Sequence, residues 1–142
     1  MALRPPPLTT TVTVGASGAA PRSQVWARYV TPQRWHEWSP QIVRVDVDEP
    51  ASPIVAGRGG TVHGPLGVQV AFRVTDVDAA AFRWTWEVGV GLVRLHMEHG
   101  VDADRGRTRA WVTITGALPV VVGYAPAARA ALGRLVADTM RG

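Results

Sequence analysis

The chain has 142 residues, a net charge of +4, 46% hydrophobic residues and 18% charged residues. That fits one globular domain able to bury about two thirds of its unfolded surface, and it excludes a disordered chain. No run reaches the ~18–20 apolar residues of a membrane helix, and the absence of cysteine excludes disulfide and thiolate chemistry.

The start, MALRPPPLTT, lacks an apolar signal core, so export by that route is not expected and a cytoplasmic location is. Pro5, Pro6 and Pro7 mark residues 1–7 as a stiff, disordered leader, leaving 8–142 as a single domain. Residues 8–14, LTTTVTV, alternate and are β-branched, which predicts a first strand, with GASGAA as a breaker behind it. In PRSQVWARYV, Pro21 suits a first helical position, and Val25, Trp26, Tyr29 and Val30 form one apolar stripe. Thr31 as N-cap and Pro32 behind it restart a second short helix of about two turns through RWHEW. Ser39 before Pro40 ends it.

The period then changes to two. QIVRVDVDE places Val43, Val45 and Val47 on one face, and a Gly/Pro-rich loop follows. TVH predicts a short strand and GPLG a turn. VQVAFRVTDVD places Val68, Val70, Phe72 and Val74 opposite Gln69, Arg73 and Thr75. AAFRWTWEV sets Phe82, Trp84 and Trp86 opposite Arg83, Thr85 and Glu87. LVRLHMEHGV sets Val93, Leu95, Met97 and His99 opposite Arg94, His96 and Glu98. DADRG predicts a hairpin turn, and RTRAWVTITG sets Ala110, Val112 and Ile114 opposite Arg109, Trp111 and Thr113. Each long strand thus has one apolar and one polar face, the pattern of an antiparallel sheet with one wet side. The C-terminal LPVVVGYAPAARAALGRLVADTM is helical in composition, with Tyr124, Ala128, Ala131, Leu132, Leu135 and Val136 as its apolar stripe. Pro126 must start or kink that helix, which makes it look short.

The order of one strand, two short helices, about six further strands and a last helix resembles the α+β helix-grip fold of the START-like, or SRPBCC, superfamily. The stretches VWARYVTPQRWHEWSPQIVRVDV, GGTVHGPLG and LVRLHMEHGVDADRGRTRAWVTITGALP resemble its polyketide cyclase/dehydrase and lipid-transport branch. The resemblance implies a curved antiparallel sheet wrapped around the C-terminal helix, with a cavity between them. It also implies either binding of a small hydrophobic ligand or an aromatase/cyclase type of enzyme. It fixes fold better than function.

Under that fold, Trp84, Trp86, Phe72 and Met97 face the cavity, where aromatics make shape-selective walls and methionine adapts to irregular ones. Val112 joins them from the last strand. Trp35 and Trp38 share one face of their short helix and seal the cavity's end, while His36 and Glu37 point to solvent. His99 breaks an apolar row; it is the one weak candidate for proton transfer and a candidate partner for a ligand carbonyl. Tyr29 and Tyr124 are further candidates for orienting a ligand. No paired carboxylates, Ser-His-Asp set or metal-spaced cluster falls on the interior face, so neither metal nor other cofactor is expected. Trp111 reads as outward-facing, a candidate homodimer contact or a rest for the leader. Interleaved acids and the lack of a phosphate-cradling loop argue against nucleic acid as a partner. The leading expectation is a cytoplasmic binder of a polyketide-like, isoprenoid or lipid molecule. The alternatives are a cyclase-type enzyme and an interaction module whose cavity its own tryptophans fill.

Overall fold

The computed structural model describes residues 8–48 and 53–137. The leader expected at residues 1–7 lies outside the described residues. Seven antiparallel strands form one curved sheet in the order β1-β7-β6-β5-β4-β3-β2. They are β1 (Thr9–Gly18), β2 (Arg44–Val47), β3 (Gly59–His63), β4 (Gln69–Asp78), β5 (Arg83–Val90), β6 (Val93–Asp104) and β7 (Arg107–Ala117). Three α-helices complete the fold among the described residues: α1 (Arg22–Tyr29), α2 (Trp35–Trp38) and α3 (Leu118–Leu135). Helix α3 packs on β1 and β7, and α1 on β6 and β7. This is the expected helix-grip architecture.

The period-two pattern becomes rungs across the inner face. One runs Val77, Trp84, His99, Val112, Val14, and the next Val74, Trp86, Met97, Ile114, Val12. A bulge between Val74 and Asp76 lets β4 change register, so that Val77 joins the inner side. On the outer face, threonine hydroxyls pair across β1 and β7, at 2.9 Å for Thr11–Thr115 and 2.7 Å for Thr13–Thr113.

Several local expectations are corrected. Gly15–Gly18 does not break β1 but continues its pairing with β7. A Cβ at Gly18 would strike the Val136 backbone carbonyl, and one at Gly15 the Arg109 guanidinium. These small residues are there for close approach, not for a turn. Pro21 is the N-cap, in extended conformation, rather than the first helical residue. Thr31 stands at the N-cap of the next helix as expected, but its side chain makes no capping bond; the hydroxyl donates back to Ala27 O at 2.6 Å. The second helix is therefore a 3-10 turn over Pro32–Arg34 followed by the single turn of α2. The DADRG turn shrinks to Arg105 and Gly106, both at positive φ, as a tight two-residue hairpin requires. Phe82 stands in the turn before β5, against Trp26 and under Arg22, not in the inner row.

Helix α3 is not short. It runs for 18 residues straight through Pro126. Pro126 and Val122, the residue whose carbonyl loses its helix donor, both lie on the solvent side, where water can take the donor's place. Trp111 is half-buried and tied to its own sheet: Nε1 donates to Asp102 at 2.9 Å, and Arg83 lies 5.0 Å over the ring. Gly100 leaves room for that ring. These contacts hold its ring against its own sheet.

Candidate ligand site

The RWHEWSP stretch closes one end of the sheet. Trp35 Nε1 donates to Tyr29 O at 2.9 Å and Trp38 Nε1 to Arg28 O at 3.3 Å. The two indoles thus satisfy carbonyls that the last turn of α1 leaves without helix partners. Both rings are buried, while His36 and Glu37 are exposed and Glu37 pairs with Arg34 at 3.1 Å.

Behind them, Trp35, Trp84 and His99 stack nearly parallel. Trp84 and His99 are 3.7 Å apart at 4°, and Trp35 and Trp84 5.9 Å apart at 14°. Tyr29 stands at right angles to both Trp84 and His99. Its hydroxyl donates to Trp111 O at 2.9 Å, so its proton is committed to the protein and a ligand meets only its ring and the acceptor side of its oxygen.

His99 is 4% exposed. Its Nδ1 lies 3.1 Å from Trp84 O, an atom that can only accept, so Nδ1 carries the proton and Nε2 is an acceptor. No described residue donates to Nε2. Burial lowers the imidazole pKa from 6.5 to about 3, with His96 adding to the effect and the Trp84 hydrogen bond opposing it. The ring is therefore neutral at physiological pH and a weak base. Trp84 Nε1, beside it, is buried without a partner among the described residues. Burial raises the hydroxyl pKa of Tyr29 and of Tyr124.

Two adjoining spaces open between sheet and α3. The inner one is a recess of about 50 Å³. Nine of the ten residues named from sequence border it: Tyr29, Trp35, Trp38, Trp84, Trp86, Met97, His99, Val112 and Tyr124. The tenth, Phe72, borders neither space and packs behind Trp86 and Trp35 at 5.2 and 5.7 Å. A volume of about 50 Å³ admits a few waters or a small functional group. The tryptophans therefore fill most of this end themselves.

The outer space is about 320 Å³, the lower end of the usual range for small-molecule sites. Val62, Val70, Val88, Leu95 and Val120 are among its walls. Ser39, Ile42, Trp86, Met97 and Tyr124 border both spaces and form the partition. Within it, Trp86 Nε1 donates to Met97 Sδ at 3.2 Å, which holds both side chains in place. The sequence offered no means of marking the outer walls, because a valine lining a void and a valine in a filled core alternate identically. No arginine, aspartate or glutamate borders either space. Among the described residues no group of His, Asp or Glu could hold a metal ion, and no helix is long and apolar enough to cross a membrane.

Arg28 escaped notice on the apolar side of α1. It is buried and donates to the carbonyls of Leu135 at 2.8 Å and Arg134 at 3.4 Å, gripping the C-terminal end of α3. Its signal was a charged residue beside Tyr29 in an otherwise apolar stripe.

Comparison with solved structures supports the same architecture. The chain superposes on the crystal structure of Ara h 8.0201 with a TM-score of 0.68 at 13% identity, covering 89% of this chain and 97% of that one. It superposes on hypothetical protein jhp0584 from Helicobacter pylori with a TM-score of 0.72, also at 13% identity, covering 96% and 95%. No curated protein matches the sequence. The family model described as polyketide cyclase / dehydrase and lipid transport matches residues 9–142. The chain belongs to that family.

Proposed function

We propose that the protein binds a small, uncharged, hydrophobic molecule of polyketide-like, isoprenoid or lipid type. Its apolar body would occupy the outer chamber, and a hydroxyl or similar donor would reach His99 Nε2 in the recess. One observation carries this reading: the buried imidazole of His99 borders a recess that adjoins an apolar chamber of about 320 Å³. Apolar burial supplies affinity, and the lone polar contact fixes orientation. With no cation along either space, a carboxylate head would be desolvated without compensation. A cyclase reading draws less support, because an imidazole with a pKa of about 3 is a poor proton acceptor and no carboxylate borders it.

The test is a thermal-shift series with matched alkyl alcohols, acids and alkanes, beside native mass spectrometry of copurified ligands. Alcohols should stabilise most. His99→Phe should remove the preference for alcohol over alkane, and Val88→Trp, which fills the outer chamber, should abolish stabilisation by either. A protein that no apolar compound stabilises, and that copurifies with none, would refute the proposal.

A further inference from the structure

The indole N–H groups of the six tryptophans divide sharply by what they meet. Trp35 and Trp38 donate to carbonyls of α1, Trp86 to Met97 Sδ and Trp111 to Asp102. Trp26 is only half-buried, beside water. Trp84 is 1% exposed, and its Nε1 has no partner among the described residues. Arg28 Nε is the other such atom, but its guanidinium already donates twice to α3. Trp84 is therefore the one side chain among the described residues that is buried with its only donor unused. An indole so placed has lost its hydration and gained no bond in exchange.

Its surroundings indicate the missing partner. Trp84 and His99 are paired across β5 and β6, and their rings stack 3.7 Å apart at 4°. The Trp84 carbonyl holds His99 Nδ1, which fixes the imidazole and leaves Nε2 as its acceptor. Both residues border the recess of about 50 Å³. One donor and one acceptor on adjoining rings thus stand beside a space the size of a small functional group.

An oxygen that accepts from Trp84 and donates to His99 satisfies both. A hydroxyl does so with a single atom. An ether, ester or ketone accepts only, and leaves His99 Nε2 unpaired. An alkylammonium donates only, and would be buried without a counter-charge.

We infer that Trp84 is a specificity-determining residue: its indole N–H and His99 Nε2 together select a free hydroxyl, so the ligand is a hydrophobic alcohol or phenol rather than the corresponding ether, ester or ketone. This selection rests on the proposed binding of an apolar molecule in the outer chamber, whose head group it specifies.

Proton–nitrogen NMR of the isotopically labelled protein reads the indole directly. The Trp84 signal is the one lost in Trp84→Phe; should that variant fail to fold, contacts of the indole proton to the stacked His99 ring identify it in the parent. Octanol, methyl octyl ether and octane are titrated in turn. The valine methyl signals of the outer chamber and the melting temperature report binding of any kind. Octanol should move the Trp84 indole proton downfield and slow its exchange with water, and octane should leave both unchanged. Methyl octyl ether should bind about tenfold more weakly than octanol. In His99→Phe the hydroxyl proton lacks its acceptor, so octanol should no longer move the Trp84 signal, and its advantage over the ether should vanish. If octanol binds and the Trp84 signal stays in place, or if alcohol and ether bind equally, the selection is refuted while apolar binding stands. A resident water that holds the indole and that octanol does not displace gives the first of these results. If none of the three compounds binds, both readings fall.

Discussion

Acid should destabilise this fold through one residue. His99 has a folded pKa of about 3 against an unfolded value of 6.5, so between those values the unfolded chain binds the proton and the folded chain does not. Stability is therefore complete above pH 6.5 and is lost progressively as pH falls toward 3. Linkage gives almost no loss at pH 8, about 2 kcal/mol at pH 5 and about 4 kcal/mol at pH 3. The groups packed against the imidazole give it no compensation. Trp84 and Trp86 on β5, Tyr29 on α1 and Val112 on β7 carry no charge, and His96 on its own strand opposes protonation. Urea melts of the parent and of His99→Phe at pH 8 and pH 5 isolate this contribution, because titration elsewhere is common to both. Phe keeps a ring against Trp84, and loss of the Nδ1 hydrogen bond costs about 1 kcal/mol at either pH. The parent should lose about 2 kcal/mol more than the variant between the two pH values. Equal losses would mean that His99 ionises freely in the fold, and would remove the neutral acceptor on which the proposed ligand chemistry rests.

Two further perturbations probe how α3 is fastened. Arg28→Met exchanges charged hydrogen bonds to the α3 carbonyls for an apolar chain of similar reach, and should cost about 2 kcal/mol in urea melts. A change within about 0.5 kcal/mol would mean that burying the guanidinium cancels what its hydrogen bonds contribute. Gly18→Ala drives a methyl group into the Val136 backbone, whereas Gly100→Ala meets the Trp111 side chain, which can swing. Thermal melts should therefore show the larger loss for Gly18→Ala, about 2 against about 1 kcal/mol; the reverse order would count against backbone contact as the limit.

Much of the fold was legible because alternation assigns faces without knowledge of the partner strand. Trp84, Trp86, Met97 and His99 all fall on the inner side as their spacing demands. Two misreadings share a cause: the deciding contact is distant in sequence. Gly15–Gly18 looked like a break because the Arg109 and Val136 atoms that require small residues lie far along the chain. Pro126 looked like an interruption because exposure of that turn is set by where α3 rests. Along the site, large aromatics drew attention to the end they themselves fill. The roomier chamber is walled by aliphatics, and emptiness is a property of the spacing between elements rather than of any residue.

The pairing of β1 with β7 sets the order in which the chain can assemble. Thr11 and Thr115, joined through their hydroxyls, are 104 residues apart. The hairpins from β3 to β7 need only local closure, so they can form while β1 waits. Until β7 exists, β1 is a β-branched strand with an unpaired ladder, and β7 is followed directly by the helix that must cover both. Closing the sheet and seating α3 are therefore one late event, and it is also the event that encloses the chamber.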